Sequence, residues 1–168
     1  MKPHEGRAAL AARASNRPRV RVAAIIVMDE AVLLVRQRRT AAPYYLLPGG
    51  GVEGGETLEQ ALIREVSEET GLLCRPLRPV FINDTISPDG RRHLVNITFV
   101  AEVTGGALLT DSLDSSIEGI ELVPVARLGE IDLRPALAKH IQSAYEDGFN
   151  TTAAYLGAIW TPESGPVQ

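Results

Sequence analysis

Several residue types are scarce in this chain, and each shortage excludes a class of protein. Cys74 is the single cysteine among 168 residues, so no disulfide can form within the chain. No apolar run approaches the length of a membrane span, and the first residues contain no sustained apolar stretch typical of a secretion signal. We therefore expect a cytoplasmic protein with no membrane partner.

Positive charge is present but not in excess. Lys2 and Lys139 are the only lysines, so the basic residues are almost all arginines. The formal net charge is −4 and the pI is about 5.4, which argues against nucleic acid as a partner. With 45% hydrophobic residues and a length typical of one domain, the chain can bury a substantial core.

The patterns of apolar and turn residues divide the chain into three parts. Residues 1–18 have no clear periodicity and are predicted to form a flexible N-terminal arm. Residues 19–148 are predicted to form one domain with a mixed β-sheet and helices on its faces. Residues 149–168 form a tail with apolar side chains, which we expect to pack on the domain or on the partner in a homodimer.

Within the domain, β-branched runs and turn residues predict the order of strands and helices. Strands are predicted at 20–28, 31–36, 44–47, 78–85, 93–104 and 120–125, with loops at 37–43 and 113–119. Helices are predicted at 57–70 and 135–147. Thr57 with Gln60 forms a capping-box pattern at the start of the first helix, and Gly71 is placed to end it.

Glutamates on the first predicted helix occupy positions where apolar residues are expected. Glu65, Glu68 and Glu69 are spaced i, i+3 and i+4. On a helical wheel, Glu69 lies about 20° from Leu58 toward Leu62 and Glu65 about 20° away on the other side, so both continue the stripe that Leu58 and Leu62 begin. Inward carboxylates are costly and repel each other unless something neutralises them. A divalent cation is the natural partner for this arrangement.

The same segment also has the spacing of a known signature. From Gly50 the chain reads G-x5-E-x7-R-E-U-x-E-E-x-G-U, where U is a bulky aliphatic residue. The fixed positions are Gly50, Glu56, Arg64, Glu65, Val66, Glu68, Glu69, Gly71 and Leu72. This pattern resembles the Nudix hydrolase box at every fixed position, as found in MutT-like and ADP-ribose pyrophosphatase-like enzymes. The resemblance implies an α/β (α+β) fold, a Nudix-type α/β/α sandwich with a mixed β-sheet.

The resemblance also implies roles for the box residues. Glu65 and Glu69 would be the main ligands of Mg²⁺ or Mn²⁺, and Glu68 would bind a metal directly or through water. The backbone carbonyl of Gly49 would be a further ligand, and Gly50 would let that backbone come close. Mg²⁺ prefers a few carboxylates together with waters and substrate phosphates, which suits an open row of glutamates.

A salt bridge between Arg64 and Glu56 is expected to join the helix to the preceding loop, because Arg64 points away from the apolar stripe. The sequence identifies the general base less clearly than it identifies this salt bridge. Glu118, in the predicted acidic loop before the last strand, is the first choice. Glu121, Asp114 and Glu68 remain alternatives, and Glu102 is given little weight.

Residues outside the box are candidates for substrate contact. Arg36 and Arg38 could bind phosphate, and Tyr45 could stack on a base. His93 and Asn96 could read a base or ribose. Each has an ordinary structural alternative, namely a basic surface loop, packing beneath the glycines or the end of a strand. Tyr155 and Trp160 are expected to cover an apolar surface or a dimer seam.

The resulting functional hypothesis is a Mg²⁺-dependent pyrophosphohydrolase acting on a nucleotide-derived small molecule. ADP-ribose or a nucleotide sugar is the first substrate choice, followed by nucleoside triphosphates, including oxidised forms, and dinucleoside polyphosphates. A nucleotide-sensing domain without turnover and a hydrolase of RNA 5′ ends are the alternatives.

Overall fold

Within the residues that the structure describes, eight strands arranged in two sheets and two α-helices form the framework of the protein. The structure, a computed structural model, describes residues 17–38, 42–109, 117–150 and 152–161. The strands are β1 (Arg19–Ile25), β2 (Val27–Met28), β3 (Ala31–Gln37), β4 (Tyr44–Leu46), β5 (Leu72–Ile86), β6 (His93–Gly106), β7 (Ile117–Pro124) and β8 (Ala154–Ala158). The helices are α1 (Leu58–Thr70) and α2 (Ala138–Glu146), with a 3-10 helix at Val125–Glu130.

The first sheet has the strand order β1-β6-β5-β8, and the second has the order β2-β3-β4 with β7 also paired to β3. In the first sheet, β1 is parallel to β6, β5 is antiparallel to β6, and β8 is parallel to β5. The first sheet is therefore mixed, as predicted. No helix within the described ranges is long and apolar enough to cross a bilayer.

Two apolar clusters lie on opposite faces of β1. Val22 and Ala24 face the cluster that holds α1, while Ala23 and Ile25 face the cluster that holds α2. A strand buried on both faces has a nearly continuous apolar sequence, which explains the run at this position. The sheets therefore lie between α1 and α2, and the predicted α/β/α sandwich is confirmed.

Helix α1 begins and ends as the sequence predicts. The Thr57 side chain accepts a hydrogen bond from the backbone N–H of Gln60, and the Gln60 side chain accepts one from the backbone N–H of Thr57. Gly71 ends the helix in the left-handed conformation, with φ of 77°. Leu62 and Val66 are fully buried, so this helix is fixed at both ends and along its apolar face.

The boundaries of several predicted elements were wrong. Strand β5 begins at Leu72 instead of residue 78. Register shifts at Pro76 and Pro79 let the strand continue through two residues that lack an N–H. The predicted strand 20–28 is divided at Ile26, where the chain passes from the first sheet to the second. Helix α2 begins at Ala138, after a turn at residues 135–137 in which the N–H of Leu137 donates to the Pro135 carbonyl.

The strand containing Glu118 is also longer than predicted. Strand β7 begins at Ile117, which pairs with Gln37 of β3 across a bulge after Arg36. This pairing brings Glu118, which was predicted to lie in the acidic loop, into the strand. Glu118 therefore lies near the start of a strand, and the predicted loop position is corrected.

The two ends of the chain are described only in part. Part of the tail forms β8, which pairs with β5 of the same chain. The hydroxyl of Tyr155 donates to Asp84 Oδ2 at 2.6 Å, which fixes β8 to the sheet. Most of the predicted N-terminal arm lies outside the described residues. The division into arm, domain and tail stays a prediction.

Candidate metal and substrate site

Three glycines, Gly49 just before the box and Gly50 and Gly51 at its start, lie in a segment, residues 48–52, which we call the glycine loop. This loop runs antiparallel to β1 and is fixed to it by three backbone hydrogen bonds. They join Ala24 N to Pro48 O at 2.9 Å, Val22 N to Gly50 O at 2.9 Å, and Val52 N to Val20 O at 3.0 Å. The start of the box is therefore held as rigidly as a strand.

Gly49 is the tightest position of the glycine loop. Its φ is 146°, and an added Cβ would lie 2.1 Å from the Val22 carbonyl oxygen. A side chain cannot fit there because the obstacle is backbone and the conformation favours glycine. Gly49 thus lets the loop approach β1 closely enough for its own N–H and carbonyl to face polar side chains.

Two box carboxylates lie against the glycine loop. Glu69 is 8% exposed, and its Oε2 accepts a hydrogen bond from the Gly49 N–H at 2.8 Å. The Glu65 carboxylate occupies the space where a Cβ on Gly50 would be, 2.3 Å from that atom. The side chain of Glu68 is 58% exposed. Glu65 and Glu69 therefore lie at the loop, on the inward side that the helical wheel predicts.

Arg64 joins α1 to the loops around it. Its Nε and Nη2 donate to the two carboxylate oxygens of Glu56 at 2.7 and 3.0 Å, so the predicted salt bridge is present. Nη1 donates to Glu65 at 2.8 Å and to Glu68 at 3.3 Å, and Nη2 also donates to the Gly51 carbonyl. The hydrogen bonds from Arg64 lower the pKa of Glu56 to about 2. The carboxylates of Glu56 and Glu65 in turn raise the pKa of Arg64.

The chemistry of this site fits a divalent cation, although the carboxylates are engaged within the protein. Across residues 17–38, 42–109, 117–150 and 152–161, no three acidic, histidine or cysteine side chains are grouped closely enough to hold a metal ion. Glu65 is bonded to Arg64, and Glu69 to Gly49. Oxygen ligands from carboxylates and a carbonyl are nevertheless those that Mg²⁺ prefers. Glu65, Glu69 and the Gly49 carbonyl would hold the cation by exchanging these hydrogen bonds.

A pocket with a cavity volume of about 120 Å³ opens between the two sheets. It is lined by Arg21, Gln37, Tyr44, Leu46, Thr85, Arg92, Leu94, Asn96, Arg134, Pro135, Trp160 and Thr161. The Arg134 guanidinium lies over the ring of Tyr44, 4.5 Å from its centroid. The lining thus combines aromatic surface with three guanidinium groups, which suits a ligand with a planar part and negative charge.

Arg21 connects this pocket to the glycine loop. Its Nη2 donates to the Gly49 carbonyl at 2.9 Å and to the Leu47 carbonyl at 3.2 Å. Burial lowers the pKa of Arg21, and the charges of Glu69 and Glu65 partly oppose this effect. Sequence reasoning missed this residue. Its alternation with Ala23 and Ile25 on one face of β1 was the available signal.

The predicted substrate residues are only partly in the pocket. Asn96 lines it, whereas His93 does not. His93 Nε2 instead lies 2.9 Å from Asp84 Oδ1. The two residues are three positions apart on β6, so they face opposite sides of the sheet. The roles of His93 and Asn96 in reading a base or ribose stay predictions. Trp160 lines the pocket, and its expected role in covering an apolar surface or a dimer seam stays a prediction.

Arg36, Arg38 and Tyr45 lie outside the pocket lining and contact two of the candidate bases, Glu118 and Glu121. Arg36 Nη1 lies 2.5 Å from Glu121, and the Tyr45 hydroxyl donates to the same carboxylate at 3.1 Å. Glu118 lies 2.7 Å from Arg38 Nε and 3.7 Å from Arg36 Nε.

The other candidate bases are placed differently. Glu102 forms an ion pair with Arg75 on the first sheet. Asp114 lies outside the described residues. The choice among the bases stays a prediction.

Comparison with known proteins places this geometry in a family. The model of the NUDIX domain matches residues 17–145, which include the glycine loop, α1 and most of the pocket. The chain belongs to the Nudix family. The resemblance to the Nudix family that the box indicates is therefore confirmed. The match extends beyond the box over most of the predicted domain.

Two Nudix relatives whose names state an activity are similar to this chain over part of their length. The ADP-ribose pyrophosphatase of Methanocaldococcus jannaschii is 38% identical over 94 residues, 54% of each chain. An 8-oxo-dGDP phosphatase of Danio rerio is 32% identical over 147 residues, 87% of this chain and 41% of that protein. The chain thus spans about half or less of the length of these two relatives.

A solved structure supports the same family assignment. The NUDIX hydrolase from Nitrosomonas europaea is 28% identical with a TM-score of 0.68. The match covers 79% of this chain and 90% of that one. The fold around the glycine loop and α1 is therefore shared with a Nudix hydrolase over nearly its whole length.

Proposed function

We propose that this protein is a Nudix pyrophosphohydrolase that cleaves a diphosphate linkage in a nucleoside diphosphate derivative. The observation that carries the proposal is the position of Glu65 and Glu69, two carboxylates of one helix held against the glycine loop. Family membership supports the reaction class, since the matched region includes these residues.

Each box residue has a role in this reaction. Glu65, Glu69 and the Gly49 carbonyl would hold Mg²⁺ or Mn²⁺, and the exposed Glu68 would bind directly or through water. The cation would neutralise phosphate charge and acidify a bound water. Arg64 and Glu56 hold the helix and loop in register, which keeps the two inward carboxylates aimed at the glycine loop. Glu118 or Glu68 would accept the proton of the attacking water.

The pocket would hold the nucleoside part of the substrate. ADP-ribose or a related nucleotide sugar is the first choice, and nucleoside triphosphates, oxidised forms included, come second. Dinucleoside polyphosphates come third. Similarity to an ADP-ribose pyrophosphatase and to an 8-oxo-dGDP phosphatase supports the first two classes.

A substrate panel tests the proposal. Release of phosphate and nucleotide is measured with Mg²⁺ or Mn²⁺ from ADP-ribose, sugar nucleotides, nucleoside triphosphates, 8-oxo-dGTP, dinucleoside polyphosphates and a capped RNA end. Glu69→Gln is the blank, and Glu59→Gln, which changes an exposed glutamate in the first turn of the same helix, is the matched control. One strongly preferred substrate is expected. Metal binding without turnover on any compound would support the nucleotide-sensing alternative.

A further inference from the structure

The Arg21 guanidinium has hydrogen-bonding capacity that the protein does not use. A guanidinium has five N–H donors. Both donors of Nη2 are directed to the carbonyls of Leu47 and Gly49. Nε and Nη1 donate to no residue that the structure describes, although the side chain is partly buried and lines the pocket. Such donors in a pocket wall favour an acceptor supplied by a ligand.

A neighbouring asparagine adds specificity to the unused Nε and Nη1 donors of Arg21. Asn96 pairs with Arg21 across β1 and β6 and lines the same pocket. The Asn96 amide N–H groups donate to Thr85 Oγ1 at 2.9 Å and to the Asn83 carbonyl at 3.4 Å. These bonds use the amide N–H groups and leave the amide oxygen as an acceptor on a residue that lines the same pocket as Arg21. Neighbouring donors and an acceptor suit a phosphate joined to a sugar that carries hydroxyl groups.

We propose that Arg21 binds a phosphate oxygen of the substrate through Nε and Nη1 while Nη2 holds the Gly49 carbonyl. One planar side chain would then set the distance between the bound phosphate and the glycine loop. The inference rests on the proposed function for the identity of this oxyanion as a phosphate of the diphosphate. Arg21 is thus assigned as a binding and positioning residue.

The position of Gly49 extends this role to the box carboxylates. Its carbonyl accepts from Arg21, and its N–H donates to Glu69. A continuous series of contacts therefore leads from the phosphate in the pocket through Gly49 to Glu69. A lysine would preserve the charge at position 21 but not the forked geometry, so it could not hold the loop and a phosphate at once.

Binding without metal tests this role separately from turnover. Trp160 is the only tryptophan of the chain and lines the pocket, so its fluorescence reports occupancy. The full chain is titrated in EDTA with inorganic pyrophosphate, ADP and adenosine. In Arg21→Lys and Arg21→Gln, the Kd for pyrophosphate and for ADP should rise about tenfold or more, as expected for loss of charge-assisted hydrogen bonds. Adenosine should bind as it does to the unsubstituted protein.

Arg127→Gln is the matched control, because Arg127 is an exposed arginine paired with Glu130 and does not line the pocket. It should leave all three affinities unchanged. The melting temperatures of the variants verify that the fold is retained. Arg21 variants that bind pyrophosphate normally, or that lose adenosine as much as ADP, would overturn the proposal. Absence of pyrophosphate binding in the unsubstituted protein would also overturn it.

A second readout does not depend on the nucleoside. With ¹⁵N-labelled arginine, the Nε–H signal that disappears in Arg21→Lys identifies Arg21. This signal should shift when pyrophosphate is added in EDTA, and an unmoved signal would contradict the contact. A shifted signal in a protein that hydrolyses no substrate would leave the Arg21 assignment standing while the proposed function fails.

Discussion

The three consecutive glycines of the loop should respond very differently to the same substitution. At Gly49, an alanine Cβ would lie 2.1 Å from a backbone carbonyl oxygen, in a conformation that favours glycine. At Gly50, the three atoms nearest the Cβ belong to the movable Glu65 carboxylate, the first at 2.3 Å. At Gly51, no atom lies within 4 Å of the added Cβ. Alanine substitution at these three positions should therefore give a graded series of effects.

The magnitudes follow from what each Cβ meets. Backbone strain of this kind costs about 1–3 kcal/mol, and the clash with Val22 adds to it, so Gly49→Ala should lose at least about 3 kcal/mol of unfolding free energy. For a chain of this length, this corresponds to a fall in Tm of about 6–12 °C. Gly51→Ala should stay within about 0.5 kcal/mol of the unsubstituted protein.

Gly50→Ala is the informative variant. It should remain within about 1 kcal/mol in stability, because a carboxylate at the end of a side chain can move. The displaced Glu65 should nevertheless weaken Mn²⁺ binding about tenfold or more, the equivalent of one lost ligand contact. Thermal denaturation and calorimetric Mn²⁺ titration measure the two effects. Equal stability of Gly49→Ala and Gly51→Ala, or unchanged Mn²⁺ affinity in Gly50→Ala, would refute the reasoning.

Three further predictions concern the box and its surroundings. Because its folded-state pKa is lowered from 4.5 to about 2, Glu56 contributes stability that is fully present above pH 4.5 and is lost as the pH falls toward 2. Arg64→Gln should remove this part of the acid dependence, as measured by urea unfolding at several pH values. Thr57→Ala should cost about 1 kcal/mol through loss of the helix cap, with Tm as the readout. Glu118→Gln should lower kcat about 10²-fold if Glu118 is the base, whereas Glu102→Gln should not, and a change within about threefold would move the base elsewhere.

Local patterns in the sequence were sufficient to predict α1 and the geometry of the box. The spacing of Leu58, Leu62, Glu65 and Glu69 predicts one helix face, and the capping residues define its ends because these interactions span only a few residues. The salt bridge between Arg64 and the adjoining loop was predictable for the same reason. Contacts within one helical turn or one short loop are encoded close together.

The pocket could not be predicted in this way, because its walls come from distant parts of the chain. Arg21, Tyr44, Asn96 and Trp160 meet only when β1, β4, β6 and the residues after β8 are assembled. The same limit applies to Glu118. Its place in a strand depends on pairing with β3 across a bulge, which no local pattern reveals.

The inward carboxylate of Glu69 offers the most direct test of the metal-dependent account. Glu69→Gln keeps an oxygen that can accept from the Gly49 N–H, so the fold and Tm should be retained while the negative charge is lost. Calorimetric Mn²⁺ titration and turnover of the preferred substrate are measured on this variant, with Glu59→Gln as the control. The account predicts loss of both metal binding and turnover in Glu69→Gln alone. A wild-type rate with Mg²⁺ in Glu69→Gln would contradict it.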